Sequence, residues 1–274
     1  ILTMETAETI LITGGNTGLG LEIVRALCKE SIPYNIIIGS RDRVKGEEVS
    51  VQLRKEIPQT RSTLSVVQID VVSDASIEGA VHYVTTTYGK LDVLINNAGA
   101  NFDHAIQAGE LSLREGWNKT WDTNVTGAQV TTSLFVPLLL KSAQPRLLFI
   151  TSGTSPLAET ERMDAQYATI NASPDAGWPK PSTLNPTEAY RSSKTGLNMM
   201  MRQWYRILKK DGVKVFAVSP GFLATGLAGI GPEILKKIGA LDPSAGGNFV
   251  KDVVQGKRDA DEGKAINVNG VQPW

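Results

Sequence analysis

Short apolar runs alternate with amphipathic stretches along nearly the whole chain. The runs predict strands at 9–13, 34–39, 64–69, 91–96, 146–151, 213–218 and 265–268. Between them, helical patterns fall near 18–30, 43–57, 75–88, 117–141, 188–210 and 244–255. The strands are short, apolar throughout and bounded by Gly, Asp or Ser, as when helices cover both faces of a sheet. Because the alternation spans residues 1–274, the expected architecture is one α/β domain. Its core is a doubly wound, mostly seven-stranded parallel sheet with helices on both faces. One stretch breaks the rhythm, "SPLAETERMDAQYATINASPDAGWPKPSTLNP" at 155–186. Its prolines, Asn and Ser forbid a long regular element, and 153–189 reads as an irregular insertion.

Composition narrows the partners. With 28 basic and 28 acidic residues, no long-range field recruits nucleic acid or an anionic membrane. The longest strongly apolar stretch, Leu134 to Leu140, is too short to span a bilayer. No basic segment followed by an apolar one opens the chain, so no signal peptide is expected. The single Cys28 excludes an internal disulfide and fits a reducing, cytoplasmic setting. His82 and His104 have no clustered carboxylates beside them, so no metal site is expected.

Candidate chemistry begins at "TGGNTGLG", Thr13 to Gly20, between the first strand and first helix. Its glycines, Gly14, Gly18 and Gly20, are spaced G-x-x-x-G-x-G, not the G-x-G-x-x-G of many dinucleotide folds. Alone, this is equally a bend that uses glycine for positive φ. Other motifs stand at successive strand ends. Asp70 ends the third strand, "NNAG" (96–99) the fourth and "ITSGTS", with Ser152, the fifth. Asn124 lies in "WDTNVTGA", Tyr190 and Lys194 in "YRSSK", and Pro220, Gly221 and Thr225 in "SPGFLAT". In open α/β sheets, ligands bind at these carboxyl edges.

In this order, the motifs resemble those of the short-chain dehydrogenase/reductase family, whose glycine turn is T-G-x-x-x-G-x-G on a Rossmann-type fold. The segments "TGGNTGLGLEIVRALC" and "SRDRVKG", the long stretch before Tyr190 and Trp274 are most similar to carbonyl-reductase-type members. "GKRDADEGKAINVNGVQPW" also resembles reductases of fungal secondary metabolism.

A nicotinamide dinucleotide would set its pyrophosphate at the positive end of the first helix, over Gly14, Gly18 and Gly20. Asn16 and Thr17 add polar groups there, and Leu19 completes the turn. At the second strand's end, Ser40 stands where NAD-preferring relatives carry an acid. Arg41 there offers a fork for a 2′-phosphate, with Lys45 behind it, so NADP(H) is the expected cofactor. A solvated strand-end arginine is the plain alternative. The resemblance implies that Asp70, with Val71, contacts the adenine, and that Asn97, Ala98 and Gly99 flank it and the ribose. It also implies that Thr225, with Pro220, Gly221 and Leu223, anchors the carboxamide.

Tyr190 and Lys194, four apart, project from one helix face. A positive Lys194 and the oxidised cofactor's charge should pull Tyr190 below its ordinary pKa of about 10. In the reductive direction, hydride passes from nicotinamide to a ketone or aldehyde carbon, Tyr190 protonates the oxygen and Ser152 orients it. Lys194 holds the ribose hydroxyls and Asn124 positions a proton-relay water, as the resemblance implies. Two other classes stay open: non-redox chemistry on the same fold (epimerase, dehydratase or cyclase), and a nucleotide-sensing regulator. The complete set of four side chains counts against the sensor. A core tyrosine beside a solvated lysine is the plain alternative for Tyr190 and Lys194. By resemblance the insertion implies a monomer, with Trp178, Pro174, Pro179, Pro181 and Pro186 as a stiff apolar cover on the Tyr190 helix. The alternative is a dimer through the 117–141 and 188–210 helices.

Overall fold

A computed structural model of the chain describes residues 7–164, 167–181 and 187–274. Eight strands form one sheet: β1 (Glu8–Ile12), β2 (Tyr34–Ser40), β3 (Thr63–Gln68), β4 (Val93–Asn96), β5 (Arg146–Ile150), β6 (Lys214–Val218), β7 (Ala265–Asn267) and β8 (Gly270–Val271). Their order is β3-β2-β1-β4-β5-β6-β7-β8, parallel except for the final β7–β8 pair. The eighth strand was not anticipated, because two residues carry no readable period. The order reverses between β1 and β4, which leaves a crevice at their carboxyl ends.

The helices are α1 (Gly18–Cys28), α2 (Arg43–Glu56), α3 (Asp74–Tyr88), α4 (Asp103–Gln107), α5 (Leu113–Trp121), α6 (Gly127–Leu139), α7 (Ala168–Asn171), α8 (Glu188–Leu208), α9 (Pro232–Lys237) and α10 (Pro243–Val254). The single helix expected over 117–141 is α5 and α6 joined by a π-helical turn, Asp122–Thr126, in which Gly127 N–H donates to the Asp122 carbonyl. Strand geometry sends alternate side chains to opposite faces. In β1, Ile10 and Ile12 pack with Ile23, Val24 and Leu27 of α1 and Val250 and Val253 of α10. Leu11 faces the other way, toward Ile77 of α3, Phe135 of α6 and Met201 of α8. Burying each such side chain contributes about 1.5–3 kcal/mol. At the amino end of the sheet, Asp259 binds Arg146 of β5 through both carboxylate oxygens and also takes Lys214 of β6. Among the described residues, no helix is long and apolar enough to cross a membrane.

Candidate active site

The glycine turn is held from β4. Thr13 Oγ1 donates to the Ile95 carbonyl at 3.4 Å and accepts from Asn97 N–H and Ala98 N–H at 3.0 Å each. The Asn97 amide donates to the Thr13 and Gly14 carbonyls, at 2.8 and 3.2 Å. Asn97 therefore uses its side chain to fasten the turn, not to reach outward. Gly14 and Gly18 have φ of +64° and +52°, where a side chain would be strained. A Cβ on Gly20 would run into the Gly14 carbonyl, so α1 approaches the turn this closely only with glycine. Thr17 occupies the N-cap position with no side-chain cap bond, and the first turn of α1 holds no acid. Its amides and positive end stay open beside the half-exposed Asn16 and Leu19.

The other edges of the crevice close onto this turn. Gly15 N–H donates to the Gly39 carbonyl at 2.9 Å, which brings the end of β2 alongside. Buried Ser40 donates to the Asp42 carbonyl at 2.6 Å. The Asp42 carboxylate caps α2, accepting from Val44 N–H and Lys45 N–H at 3.0 and 3.3 Å. Its charge is thus committed to the helix, while Arg41 and Lys45 are exposed and their side chains have no partner among the described residues. Asp70 accepts from Val72 N–H at 3.3 Å, and the backbone of buried Val71 lies against Gly127. From the far side, a Cβ on Gly18 would lie 3.6 Å from Thr225 Cβ. Gly221 has φ +102°, and Leu19, Pro220 and Leu223 meet around Gly246 of α10.

At the centre, the π-turn carries Asn124, which is 1% exposed. Asn124 accepts from Ala100 N–H at 2.8 Å and donates to the Ala100 carbonyl and Ser193 Oγ, both at 2.9 Å. Ser193 in turn donates to the Tyr190 carbonyl at 2.7 Å. Ser193 has no motif role in the sequence, yet it links Asn124 to α8. Lys194, 3% exposed, donates to the Ile150 carbonyl at 2.8 Å, and its Nζ lies 5.7 Å from the Tyr190 ring centroid. A Cβ on Gly99 would stand 3.2 Å from Asn124 Oδ1 and 3.4 Å from Lys194 Nζ, so Gly99 lines the same space. Ser152 accepts from Thr154 N–H at 3.2 Å. Behind it, Thr151 donates to Asn198 at 2.6 Å, Asn198 to Ser155 at 2.9 Å, and Ser155 to the Ser152 carbonyl at 2.6 Å. This buried chain ties β5 to α8.

Burial opposes one expectation. Burial pushes the Tyr190 hydroxyl up to about 12, with a hydrogen bond to Ser152 pulling the other way. Burial also lowers Lys194 to about 8. Desolvation dominates, and the ammonium is bonded to Ile150.

The insertion forms a 3-10 turn over Leu157–Glu161 and then α7. Arg191 fastens it to α8, donating to the Thr154 carbonyl at 3.0 Å, the Ile170 carbonyl at 3.3 Å and Asn171 Oδ1 at 3.0 Å. Tyr167 donates to the Gly153 carbonyl at 3.2 Å, beside Ser152. The anticipated apolar cover is not made by Trp178, which is 87% exposed. Pro174, Pro179 and Pro181 are exposed with it, and Pro186 lies outside the described residues. A run so poor in apolar side chains has nothing to bury beside its one indole.

The family profile described as short chain dehydrogenase matches residues 8–169. Short-chain dehydrogenase/reductase eupG of Phoma sp. is 47% identical over 273 residues, which cover 96% of each chain. Short-chain dehydrogenase/reductase tropE of Talaromyces stipitatus is 45% identical over 269 residues, covering 97% of each. Among solved structures, the NADPH-bound carbonyl reductase from chicken fatty liver is alike in fold. Its TM-score is 0.76 at 23% identity, covering 98% of this chain and 99% of that one. The chain belongs to the short-chain dehydrogenase family, oxidoreductases that act on alcohols and carbonyl groups.

Proposed function

We propose that the protein is an NADPH-dependent reductase of a ketone or aldehyde. The observation that carries this reading is the convergence of Ser152, Tyr190 and Lys194 at one sheet edge, beside Gly99 of the loop whose Asn97 and Ala98 hold the glycine turn. The residues present fit the dinucleotide: an uncapped, acid-free helix end for the pyrophosphate, and two cations, Arg41 and Lys45, without a side-chain partner among the described residues, for a 2′-phosphate. The chicken carbonyl reductase, similar in fold, is itself bound to NADPH.

When bound, the reduced nicotinamide supplies hydride to the carbonyl carbon. Ser152 donates a hydrogen bond to the carbonyl oxygen and fixes its direction. Tyr190, whose burial keeps the phenol protonated at neutral pH, delivers its proton to that oxygen as negative charge develops. Lys194 stabilises the tyrosinate left behind and would hold the ribose hydroxyls of a bound dinucleotide, while Asn124 keeps the Ala100 backbone and α8 in register.

Incubating the protein with NADPH and a panel of aliphatic, cyclic and aryl carbonyls tests the reading. One NADPH oxidised per alcohol formed is expected. Product formed with no NADPH consumed would favour epimerase, dehydratase or cyclase chemistry instead. The reading takes the chain as one catalytic domain that works as a monomer, with the described part of the 153–189 insertion, anchored through Arg191, walling the substrate mouth. Light scattering that shows a stable dimer overturns the monomer.

A further inference from the structure

Asp103, the first residue of α4, is 2% exposed, and its carboxylate engages another helix. One oxygen accepts from Ala189 N–H and the other from Tyr190 N–H, each at 2.9 Å. These amides belong to the first turn of α8, 86 and 87 residues further along the chain. A helix begins with N–H groups that have no intrahelical partner, and its own N-cap side chain commonly takes some of them. Thr187 holds that position here and makes no side-chain cap bond. A buried carboxylate from a distant segment does the work instead.

Two bonds to one rigid carboxylate fix both the height and the rotation of a helix start, and bonds to an ionised acceptor are the stronger kind. One bonded amide is that of Tyr190 itself. Any slip of this turn moves the phenol against Ser152 on the β5 side and Lys194 one turn along. Asp103 is anchored in turn: its own N–H donates to Asn101 Oδ1 at 3.0 Å, in the loop that follows Gly99. The loop after β4 and the first turn of α8 are thereby locked together.

We propose that Asp103 is a positioning residue for Tyr190, setting where the phenol oxygen stands relative to Ser152 and Lys194. The role rests on the reading of Tyr190 as proton donor, and Asp103 touches no reacting atom.

The test compares Asp103→Asn, which keeps the volume and one acceptor, with Asp103→Ala, using NADPH and an aryl ketone that the native protein reduces. We expect kcat to fall about tenfold in the Asn variant and about a hundredfold in the Ala variant, as for a small displacement of a proton donor. KM and the NADPH dissociation constant should stay within about twofold, since the cofactor turn is untouched. Should Asp103→Ala fail to fold, the Asn variant carries the test alone. Each change is then repeated in the Tyr190→Phe background. A positioning role predicts that the kcat effect vanishes there, because no phenol remains to be placed. Unchanged kcat in Asp103→Asn, or an equal further loss on top of Tyr190→Phe, overturns the proposal and leaves the reading of the site standing. Near-native turnover in Tyr190→Phe alone overturns that reading instead.

Discussion

Lys194 donates to the Ile150 carbonyl at 2.8 Å, at the last residue of β5 and two positions before Ser152. The bond clips α8 to the strand that leads into the candidate carbonyl-orienting serine. It also holds the ammonium in a desolvated site, which is why its pKa falls to about 8.

A pH dependence follows from that value. Below about 8 the amine is charged and able to hold ribose hydroxyls, and above it the charge is lost. The Tyr190 phenol keeps its proton until about 12 and does not limit this range. The reductive rate at limiting NADPH should therefore decline as pH rises through about 8. A flat profile across that point would count against the assignment of Lys194.

Tyr190→Phe removes the proton but leaves the ring in place. We expect native-like circular dichroism and retained NADPH binding, with turnover reduced by about 10²- to 10⁴-fold. Single-turnover kinetics with saturating cofactor measure this directly. A rate within a few-fold of native means that another group supplies the proton.

Arg41→Ala tests the cofactor preference. A charge-assisted hydrogen bond to a phosphate contributes about 1.5–3 kcal/mol. The ratio of NADPH to NADH affinity should accordingly drop about tenfold or more. Titrations of cofactor fluorescence give both constants, and an unchanged ratio places the 2′-phosphate elsewhere.

Asp259 governs stability far from the chemistry. Burial pushes its carboxyl up, but the bonds from Arg146 and then Lys214 outweigh this and hold it below the ordinary range. With the folded-state pKa depressed, the stabilisation is present above the unfolded value of about 3.9 and is lost as pH falls through the folded value. Asp259→Asn strands Arg146, which is 5% exposed. Because Asp259 is itself partly solvated, we expect a loss of about 1–3 kcal/mol at neutral pH. Urea unfolding should show the native and variant curves converging under acid conditions, and parallel curves at every pH would refute the account.

The sheet was legible because its central strands are buried on both sides. Ile10, Leu11 and Ile12 form one apolar run that serves two cores, and Ile36, Ile37 and Ile38 do the same. The motif residues could also be found, since each follows a strand end or lies on a helix that periodicity reveals. Their bonding could not. Asn97 and Asn124 have several possible partners each, and only the folded backbone decides that the first fastens the glycine turn and the second grips Ala100. The direction of the Tyr190 shift depends on desolvation, which spacing does not report. Asp103 was invisible for a related reason: its partners are main-chain amides 86 and 87 residues away, with no side-chain pattern to mark them.

The π-turn at Asp122–Thr126 has a bearing on how this part of the chain tolerates change. Each residue of a regular helix advances about 100° around the axis. Loss of one residue from the π-turn itself only returns it to α-helical pitch, but one residue more or fewer in the regular turns of α5 would swing all of α6 by that angle, turning Phe135 and Leu138 away from the sheet. No graded series of side-chain replacements passes between the two registers. Insertions and deletions within α5 and α6 should therefore be lost from folded protein, whereas removal of one residue of the π-turn other than Asn124 should leave the fold intact. A deep scan of single-residue deletions beside substitutions would reveal that asymmetry as a sharp boundary at the turn.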